Sequence, residues 1–526
     1  MKKLLILITL LIFASLAGCI NERPVITIPE DVNIINKAIS DYEYEPATID
    51  NLEELEIIIQ KYNSLEEQYK KHIVNYNVIL DNYKHVKELI KENQLIEKSI
   101  DDLKKTLLDS LPSSTLNNLQ LQKTALVNDE EIELKWISSD PQTIFTNGVV
   151  INGRENCNVS LKCIFRYRNK TYEIKKNIIV KPIQFEKLTG NNVFTYMYST
   201  SFNGSYTKSD LETIDVVNLC FADIRNGEVD ILSLGNIRDI LSLRRDSKIR
   251  VCICITGYGQ ETKAFSDAAS TEEGRIKLAK SISDAIEKYH FDGIDIDWEY
   301  PGSYRPTNVD RENYTLLMQE INKQVKSKNE DYIVSGALPS SSSNSGLIRR
   351  YDVQKIAKYM DYIHLMTYDM NSSYVTSHHT SYIGTINTIN TYIANGARSE
   401  QLTAGIAFYG KKFRIHGDGV LGESCGNRQT VPFDTINGYI KANNPNRYVT
   451  YWDNQNMAPY MEVKYYDMEN NYLYHDFITY DDNNSVKLKV EYAKNNNLAG
   501  VMCWEYGENK GQELQKTICQ VLKQNK

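Results

Sequence analysis

Three carboxylic acids recur at every second position of the segment from Phe291 to Tyr300. The acids are Asp295, Asp297 and Glu299, and the residues between and beside them are Ile294, Ile296 and Trp298. Successive side chains of a β-strand point to opposite faces, which puts the acids on one face and the apolar residues on the other. The apolar face suits the outside of a barrel that is covered by helices, and the acids then point into the barrel interior.

Burial decides what these acids can do. Desolvation and neighbouring negative charge both raise the pKa of a carboxyl group, so three inward acids in one row must share protons. Glu299 is at the carboxyl end of the strand, where the active sites of parallel barrels lie. A carboxyl group that stays protonated near neutral pH is a good general acid.

The alternatives to a catalytic role for the three acids are a metal site and a solvated acidic edge strand. An edge strand would not pair its acids with so regular an apolar face.

The elements that would position this strand begin near Asn191. From there to the end of the chain, apolar strands alternate with amphipathic helices, and the strands are predicted at 216–224, 250–256, 332–338, 362–368, 402–409 and 499–504. Repeated β-then-α order predicts a parallel sheet. No Gly-rich phosphate loop follows the early strands, which disfavours a nucleotide-binding doubly wound sheet. The predicted fold is therefore α/β, a (β/α)₈ TIM barrel.

Two further modules are predicted upstream of the barrel. Residues 20–108 show helical periodicity, which predicts a short helical bundle, and 49–80 resembles small helical spacer modules of Gram-positive surface proteins. Residues 109–184 alternate apolar and polar side chains, which predicts a small β-sandwich. The segment 136–150 resembles bacterial Ig-like domains of cell-surface proteins. A spacer role is favoured over carbohydrate binding.

The first 19 residues predict secretion. Lys2 and Lys3 precede an apolar run that ends at Leu16 and is followed by Ala-Gly-Cys19. This run is too short and wrongly flanked for a stable transmembrane helix. Its end resembles the lipobox of bacterial lipoproteins, which implies lipidation of Cys19 and an extracytoplasmic protein held to the cell membrane only by its N-terminal lipid. The alternative is an ordinary signal peptide with a stray cysteine.

Composition excludes some partners. The formal net charge of −8 argues against a nucleic-acid partner, which would require a basic excess. No Cys/His pattern with zinc spacing occurs, so no metal is expected. Cys157 and Cys163 are close enough in sequence to consider a disulfide bond, but their spacing does not force one.

The acid strand matches the motif of a known family. Asp292-Gly-x-Asp-x-Asp-x-Glu299 resembles the DGxDxDxE motif of family 18 glycoside hydrolases, the chitinase family. Other segments resemble strands of this family in the expected order, namely 217–224 the second, Met366–Asp369 the sixth, Ala407–Gly410 the seventh and Gly500–Trp504 the eighth. The similarity covers 190–526, and about 411–492 resembles the α+β insertion of many chitinases.

The resemblance implies retaining hydrolysis of β-1,4-linked N-acetylglucosamine without a cofactor, in which the substrate's own acetamido group is the nucleophile. Glu299 would be the acid and base, Asp297 would orient the acetamido group, Asp295 would share a proton with Asp297, and Tyr368 would bond the acetamido oxygen. The substrate-binding residues that the resemblance implies are Asp369, Trp504, Met366, Tyr258, Tyr196, Phe221 and Tyr409. A monomer is expected.

Four positions depart from the family pattern. Cys254 replaces a serine that supports the aspartate row, and Tyr258 replaces a stacking tryptophan. Lys411 stands where the family usually has an arginine, and His364 stands where it commonly has an asparagine. His364 is expected to be a satisfied interior histidine, and the histidines 378 and 379 are expected to be loop residues rather than a metal pair. These changes leave the acid row intact, but they widen the choice of substrate. Chitin comes first, and N-glycans or peptidoglycan are alternatives. A lectin is disfavoured, because such family members typically lose the terminal glutamate.

Overall fold

The computed structural model describes residues 27–201, 208–469 and 471–523. The predicted signal peptide and Cys19 lie outside the described residues. The chain divides into two compact units, of which the first holds the described residues up to Leu107 together with 124–133 and 166–170, and the second holds the rest. No helix among the described residues is long and apolar enough to cross a membrane.

The first unit is mainly helical. Its helices are α1 (Glu30–Tyr44), α2 (Leu52–Ser64), α3 (Glu67–Lys70) and α4 (Asn77–Ser110), the last of which runs three residues into the second unit. Their apolar stripes form one core that includes the buried residues Ile35, Leu55, Ile58, Ile79 and Val86. The helices lie in the region where the periodicity predicted them, and their role as a spacer stays a prediction.

Five strands follow, namely β1 (Ser114–Thr115), β2 (Thr124–Val127), β3 (Glu130–Ser138), β4 (Cys157–Tyr167) and β5 (Lys170–Val180). The first half of β3 pairs with β2, and its second half, from Leu134, pairs with β4. The order of the five strands is β1-β5-β4-β3-β2. The β-sandwich and its Ig-like character stay predictions. Cys157 and Cys163 are both free thiols.

From Asn192 onwards, strands alternate with helices. The strands are β6 (Asn192–Tyr198), β7 (Val216–Arg225), β8 (Glu228–Asp230), β9 (Arg250–Thr256), β10 (Gly293–Asp297), β11 (Ile333–Pro339), β12 (Tyr362–Met366), β13 (Leu402–Ala407), β14 (Tyr409–Ile415), β15 (Cys425–Pro432), β16 (Tyr448–Asp453), β17 (Ala458–Tyr466), β18 (Tyr472–Thr479) and β19 (Gly500–Trp504). The helices are α5 (Lys208–Leu211), α6 (Arg238–Ser247), α7 (Glu261–Ala269), α8 (Glu272–Tyr289), α9 (Thr307–Lys328), α10 (Val353–Ile356), α11 (Tyr382–Ala394), α12 (Phe433–Lys441), α13 (Asn483–Asn495) and α14 (Glu513–Lys523).

Eight parallel strands close into a barrel. Their order is β6-β7-β9-β10-β11-β12-β13-β19, and β19 returns to pair with β6. This arrangement confirms the predicted (β/α)₈ barrel. The acid strand is β10, and its outward residues Ile294, Ile296 and Trp298 are buried against the surrounding helices. Trp298 stacks on Phe265 of α7 with ring centroids 5.3 Å apart, so Asp295 and Asp297 are left to face the interior.

An antiparallel sheet is inserted between the last two barrel strands. Its strand order is β15-β14-β18-β17-β16, and α12 accompanies it. The sheet begins at Tyr409 and ends at Thr479. Helix α13, which follows, contacts the barrel strands β13 and β19. Residues 483–492, which the sequence assigned to the insertion, therefore belong to a barrel helix.

Candidate active site

A cleft of about 590 Å³ opens at the carboxyl ends of the barrel strands. It collects side chains from most of the barrel strands, and four lining residues come from the inserted sheet, namely Tyr409, Lys411, Arg428 and Thr430. Ten of the eleven predicted site residues line this cleft, namely Tyr196, Phe221, Tyr258, Asp297, Glu299, Met366, Tyr368, Asp369, Tyr409 and Trp504. The eleventh, Asp295, lies beneath it, fully buried in the barrel.

Asp295 is saturated with hydrogen-bond donors. The Tyr196 hydroxyl donates to Oδ2 and the Ser335 hydroxyl to Oδ1, each at 2.7 Å, and the Cys254 thiol is 3.4 Å from Oδ2. Cys254 therefore occupies the supporting position that the sequence assigned to it. Because both oxygens of Asp295 are engaged, this residue anchors the row rather than reaching the cleft.

His364 is only partly satisfied, which differs from the expectation for an interior histidine. Its Nδ1 is 2.9 Å from the Thr403 hydroxyl, but Nε2 has no hydrogen-bond partner and is 3.7 Å from Oδ1 of Asp295. Burial lowers the pKa of His364, and the charge of Asp295 opposes this only in part. The surroundings of His364 beneath the acid row therefore favour the neutral form.

Asp297 is the unsatisfied member of the row. Its side chain is nearly enclosed, with 4% of the residue exposed, and Oδ1 has no hydrogen-bond partner. Burial, then the neighbouring Glu299 and Asp295, raise the pKa of Asp297 well above its ordinary value. The protonated form, which the raised pKa favours, can both donate a hydrogen bond to a bound ligand and accept one through the free oxygen.

Glu299 follows Asp297 at the end of the strand. Burial raises the pKa of Glu299, a hydrogen bond with Tyr300 opposes the rise, and the charge of Asp369 adds to it. The backbone N–H of Glu299 donates to the carbonyl of Gly257 at 3.2 Å, which holds the backbone of Glu299 next to the end of β9. Glu299 is therefore a carboxylic acid that is exposed to the cleft and biased towards its protonated form.

The surroundings of Asp369 favour its ionised form, in contrast to those of Glu299. Asp369 adopts a left-handed backbone conformation (φ 55°), accepts a hydrogen bond from the Tyr409 hydroxyl at 2.9 Å and lies 3.2 Å from Nζ of Lys411. Burial opposes ionisation, but contacts with His379 and Lys411 outweigh it and hold the pKa of Asp369 well below its usual range. An anion is therefore fixed beside Glu299. Lys411 supplies the cation of this ion pair.

Aromatic rings form the floor and one rim of the cleft. Trp504 lies nearly parallel to Phe221 (ring centroids 5.7 Å apart, interplanar angle 28°), with Tyr196 at 5.3 Å. Tyr258 is at the rim and is 69% exposed. Tyr368 is almost buried beside Met502, with its hydroxyl 3.7 Å from the sulfur. Rings of this kind offer flat apolar surfaces to a ligand.

The histidines of the loop after β12 do not form a pair. Nε2 of His378 is 3.0 Å from Oδ2 of Asp453, whereas Nδ1 of His379 is 3.6 Å from Asp369. Across the described part of the chain, no group of three His, Cys, Asp or Glu residues is arranged to hold a metal ion. The contact of His379 with Asp369 was not foreseen, and neither was the contribution of Arg428 and Thr430 to the cleft.

Comparisons with known proteins agree with this geometry. The family described as "Glycosyl hydrolases family 18" matches residues 193–509. Chitinase A1 of Niallia circulans is 29% identical over 325 residues, which cover 54% of this chain and 44% of that protein. Probable chitinase 2 of Drosophila melanogaster is 28% identical over 294 residues, which cover 51% and 58%. The chain thus spans about half the length of these relatives.

Solved structures with the same fold include a family 18 N-acetylglucosaminidase from Paenibacillus barengoltzii. It is 27% identical, with a TM-score of 0.55, and the match covers 63% of this chain and 99% of that one. A cell-surface-expressed multi-modular chitinase from Paenibacillus sp. is 25% identical, with a TM-score of 0.53, and the match covers 70% and 47%. Since the family match takes in well over half of the sequence and contains the whole acid strand, the chain belongs to glycosyl hydrolases family 18.

Proposed function

We propose that the chain hydrolyses β-1,4-linked N-acetylglucosamine, in chitin or chitin oligosaccharides, with Glu299 as acid and base. The observation that carries the proposal is the placement of Asp297, Glu299 and Asp369 in one cleft, with Asp369 paired to Lys411 and Glu299 in surroundings that raise its pKa. A general acid needs its proton at the working pH, and the raised pKa of Glu299 favours the protonated form. The relatives named as chitinases support the choice of polymer.

The nucleophile comes from the substrate in this proposal. Burial and the neighbouring acids raise the pKa of Asp297 and so favour its protonated form, which is not a nucleophile, and Asp369 is engaged by Lys411 and Tyr409. Neither carboxylate is therefore free to attack the sugar. The acetamido group of the bound N-acetylglucosamine supplies the attacking oxygen instead, which is the substrate-assisted route of this family.

In the first step, Glu299 gives its proton to the glycosidic oxygen, and the bond from that oxygen to C1 breaks. The acetamido carbonyl oxygen attacks C1 and closes an oxazolinium ring. Asp297 accepts a hydrogen bond from the acetamido N–H through its free oxygen, and Tyr368 bonds the acetamido oxygen. In the second step, Glu299 takes a proton from water, the water oxygen attacks C1, and the ring opens with net retention.

The cleft suits a sugar polymer. Trp504, supported by Phe221 and Tyr196, gives a flat floor on which the apolar face of a sugar can stack. Tyr258 extends the aromatic surface to the rim, and Arg428 brings a cation from the inserted sheet. We propose that Tyr258 takes the stacking role of the tryptophan that the family usually has.

We also propose that Cys19 is lipidated and that the protein is held outside the cytoplasmic membrane as a monomer. In this arrangement, 20–108 and 109–184, the latter as an Ig-like module, are spacers between anchor and barrel. The signal sequence supports the anchor, and the cell-surface-expressed, multi-modular chitinase supports the architecture.

A second candidate is release of N-acetylglucosamine from another glycan, either an N-glycan or peptidoglycan. It is favoured by the similarity to an N-acetylglucosaminidase and by the substitution of Tyr258 for a larger tryptophan at the rim. The acid row is the same in both cases. Pure sugar binding is the weakest candidate, since the chain keeps Glu299.

The test uses the wild type, Glu299→Gln and Glu261→Gln on chitin hexaose, an N-linked glycoprotein and peptidoglycan, with products identified by mass spectrometry. Glu261 lines the same cleft, so its variant is the matched control. Loss of the acid should lower kcat by about a hundredfold to ten-thousandfold in Glu299→Gln, whereas Glu261→Gln keeps most of its activity. If the wild type binds these glycans but cleaves none of them, the protein is a lectin.

A further inference from the structure

Three arginines converge on one aromatic ring at the end of the barrel opposite the cleft. The guanidinium carbons of Arg154, Arg250 and Arg244 lie 4.3, 4.9 and 6.0 Å from the ring centroid of Phe185. The exposed fractions are 10% for the Arg154 side chain, 8% for Arg250 and 1% for Arg244. Three positive charges therefore share one poorly solvated region at the amino ends of the strands.

One buried carboxylate faces these arginines. Oδ1 of Asp292 accepts from Nε of Arg154 at 2.9 Å, and Oδ2 accepts from Nη1 of Arg244 at 3.0 Å and from the backbone N–H of Val251 at 2.9 Å. Both oxygens are thus occupied. Arg244 otherwise donates to the carbonyls of His290 and Asn152.

Arg250 lacks a carboxylate partner among the described residues. It donates to the carbonyl of Glu186 and packs against Phe185. The cluster therefore holds three guanidinium groups and one carboxylate. Arginine does not give up its proton in proteins, so this imbalance cannot be relieved by deprotonation. A buried charge without a counter-charge is costly, and the usual remedy is an ion of opposite sign.

A cavity adjoins the unbalanced charges. It has a volume of about 260 Å³, and Arg154, Phe185 and Arg250 line it. Nη2 of Arg154 is buried and has no hydrogen-bond partner, although it belongs to a side chain that lines this space. An unpartnered guanidinium N–H beside a cavity indicates a ligand that accepts hydrogen bonds.

The outer rim of the cavity carries charges of both signs. Lys326 pairs with Asp361 at 2.8 Å, and Lys187, Glu330 and Asp331 also line the cavity. Lys187, Glu330 and Asp331 are exposed, so water and salt screen them. Arg154 and Arg250 form the inner wall, where burial prevents screening, and the charge of this wall is positive.

We propose that this cavity binds a small tetrahedral oxyanion, phosphate or sulfate, through Nη2 of Arg154 and the guanidinium of Arg250. The planar fork of a guanidinium matches two oxygens of such an anion, and a charge-assisted hydrogen bond is stronger than a neutral one. Burial lowers the pKa of Arg250 and of Arg244, as expected for cations whose desolvation is not fully compensated. The anion supplies the missing negative charge and ties the 154–185 segment to the barrel.

The test measures binding of sodium phosphate and of sodium sulfate to the whole chain by calorimetry and thermal unfolding, against sodium chloride at equal ionic strength. The wild type should show a saturable rise in Tm with either oxyanion and none with chloride. Arg250→Met should weaken phosphate binding by about ten- to a hundredfold, the loss of one charge-assisted contact. Arg225→Met, an exposed arginine on the β7–β8 hairpin, is the matched control and should bind as the wild type does.

Folding of the variant is itself informative. Removing Arg250 removes an unpaired charge, so in phosphate- and sulfate-free buffer Arg250→Met should unfold at the same temperature as the wild type or higher. The proposal fails if phosphate and sulfate act no differently from chloride at equal ionic strength, or if Arg250→Met keeps the full response. Neither outcome depends on whether the cleft hydrolyses chitin.

Discussion

At the scale of single residues, the cleft keeps two carboxyl groups in opposite states. Burial and the charge of Asp369 favour the protonated form of Glu299, while Lys411, Tyr409 and His379 favour the ionised form of Asp369. Two acids whose surroundings push their pKa values apart are a typical acid–base arrangement. Asp369 thus acts on Glu299 through charge, in addition to any contact that it makes with the substrate.

Asp369→Asn should move the alkaline limb of the pH profile of kcat/KM to lower pH. The variant removes a negative charge that raises the pKa of Glu299, so Glu299 loses its proton at lower pH and the active acid form disappears earlier. The measurement is kcat/KM across the pH range. Glu261→Gln removes a charge from the same cleft without acting on Glu299, so its alkaline limb should stay in place. An unmoved or upward-shifted limb in Asp369→Asn would contradict this account.

Tyr258 is expected to act on long substrates alone. Its ring is exposed at the rim of the cleft, whereas the aspartates of the acid row are buried. Tyr258→Ala therefore removes a stacking surface but no side chain of the acid row. Stacking of this kind contributes about 0.5–1.5 kcal/mol, so KM for chitin hexaose should rise roughly two- to tenfold. The value of kcat should change little, and KM for a short oligosaccharide should stay constant. Tyr258→Trp should lower KM for the hexaose.

The acid row could be predicted from the sequence because alternation along one strand is a local property. Asp295, Asp297 and Glu299 differ by two positions, and the strand period alone puts them on one face. Arg428 and Thr430 also differ by two positions, but their place in the cleft depends on the pairing of β15 with β14, which is set by contacts distant in sequence. The sequence predicts that His379 lies in a loop, which is correct, but nothing local indicates that this loop folds back onto Asp369.

At the scale of elements, a buried ion pair holds the end of β12, the strand that ends just before Tyr368. Lys489 of α13 and Asp481 are both fully buried. Nζ of Lys489 donates to both carboxylate oxygens of Asp481, at 2.7 Å to Oδ1 and 2.8 Å to Oδ2. The hydroxyl of Thr380 is 3.2 Å from Asp481 and 3.0 Å from the carbonyl of Thr367, the residue before Tyr368. The loop after β12 is therefore tied at both ends to one buried charge pair.

Thr380→Val should reduce catalysis more than it reduces binding. Valine keeps the shape but removes the hydroxyl that links Thr367 to the ion pair, so Tyr368 loses part of its positioning. Small misplacements of a positioned group can cost about a hundredfold in rate, and we expect kcat to fall by about tenfold with little change in KM. The free energy of unfolding should fall by about 1–3 kcal/mol, the cost of an unsatisfied buried group.

Thr385→Val is the matched control for this variant. Thr385 is also buried and bonds the Ser381 carbonyl within its own helix, but it makes no bond to the end of β12. Its variant should lose stability to a comparable extent and keep kcat. If both variants lose kcat in proportion to their lower stability, Thr380 is merely structural and the ion pair has no positioning role.

At the scale of the whole molecule, the division of the chain differs from the one that the sequence suggests. Periodicity predicts separate modules at 109–184 and 190–526, whereas the structure assigns residues 134–165 and 171–523 to one compact unit. Ile151 belongs to the same apolar core as the barrel helices, and Arg154 pairs with Asp292 at the start of the acid strand. Such contacts join residues more than a hundred positions apart, so no sequence pattern reports them.

This arrangement predicts that the strands before the barrel stabilise it. A chain beginning at residue 108 keeps every contact of the second unit, so it should unfold at the temperature of the full chain and hydrolyse substrate equally well. A chain beginning at residue 186 loses Arg154 and exposes the apolar surface that Ile151 covers. Breaking a buried ion pair costs about 3–5 kcal/mol, and calorimetry or chemical denaturation should show at least that loss. Equal stability of the two chains would mean that 109–184 serve as a spacer only and do not stabilise the barrel. A selective loss in the shorter chain would make them part of the catalytic unit, with the acid strand held from both of its ends.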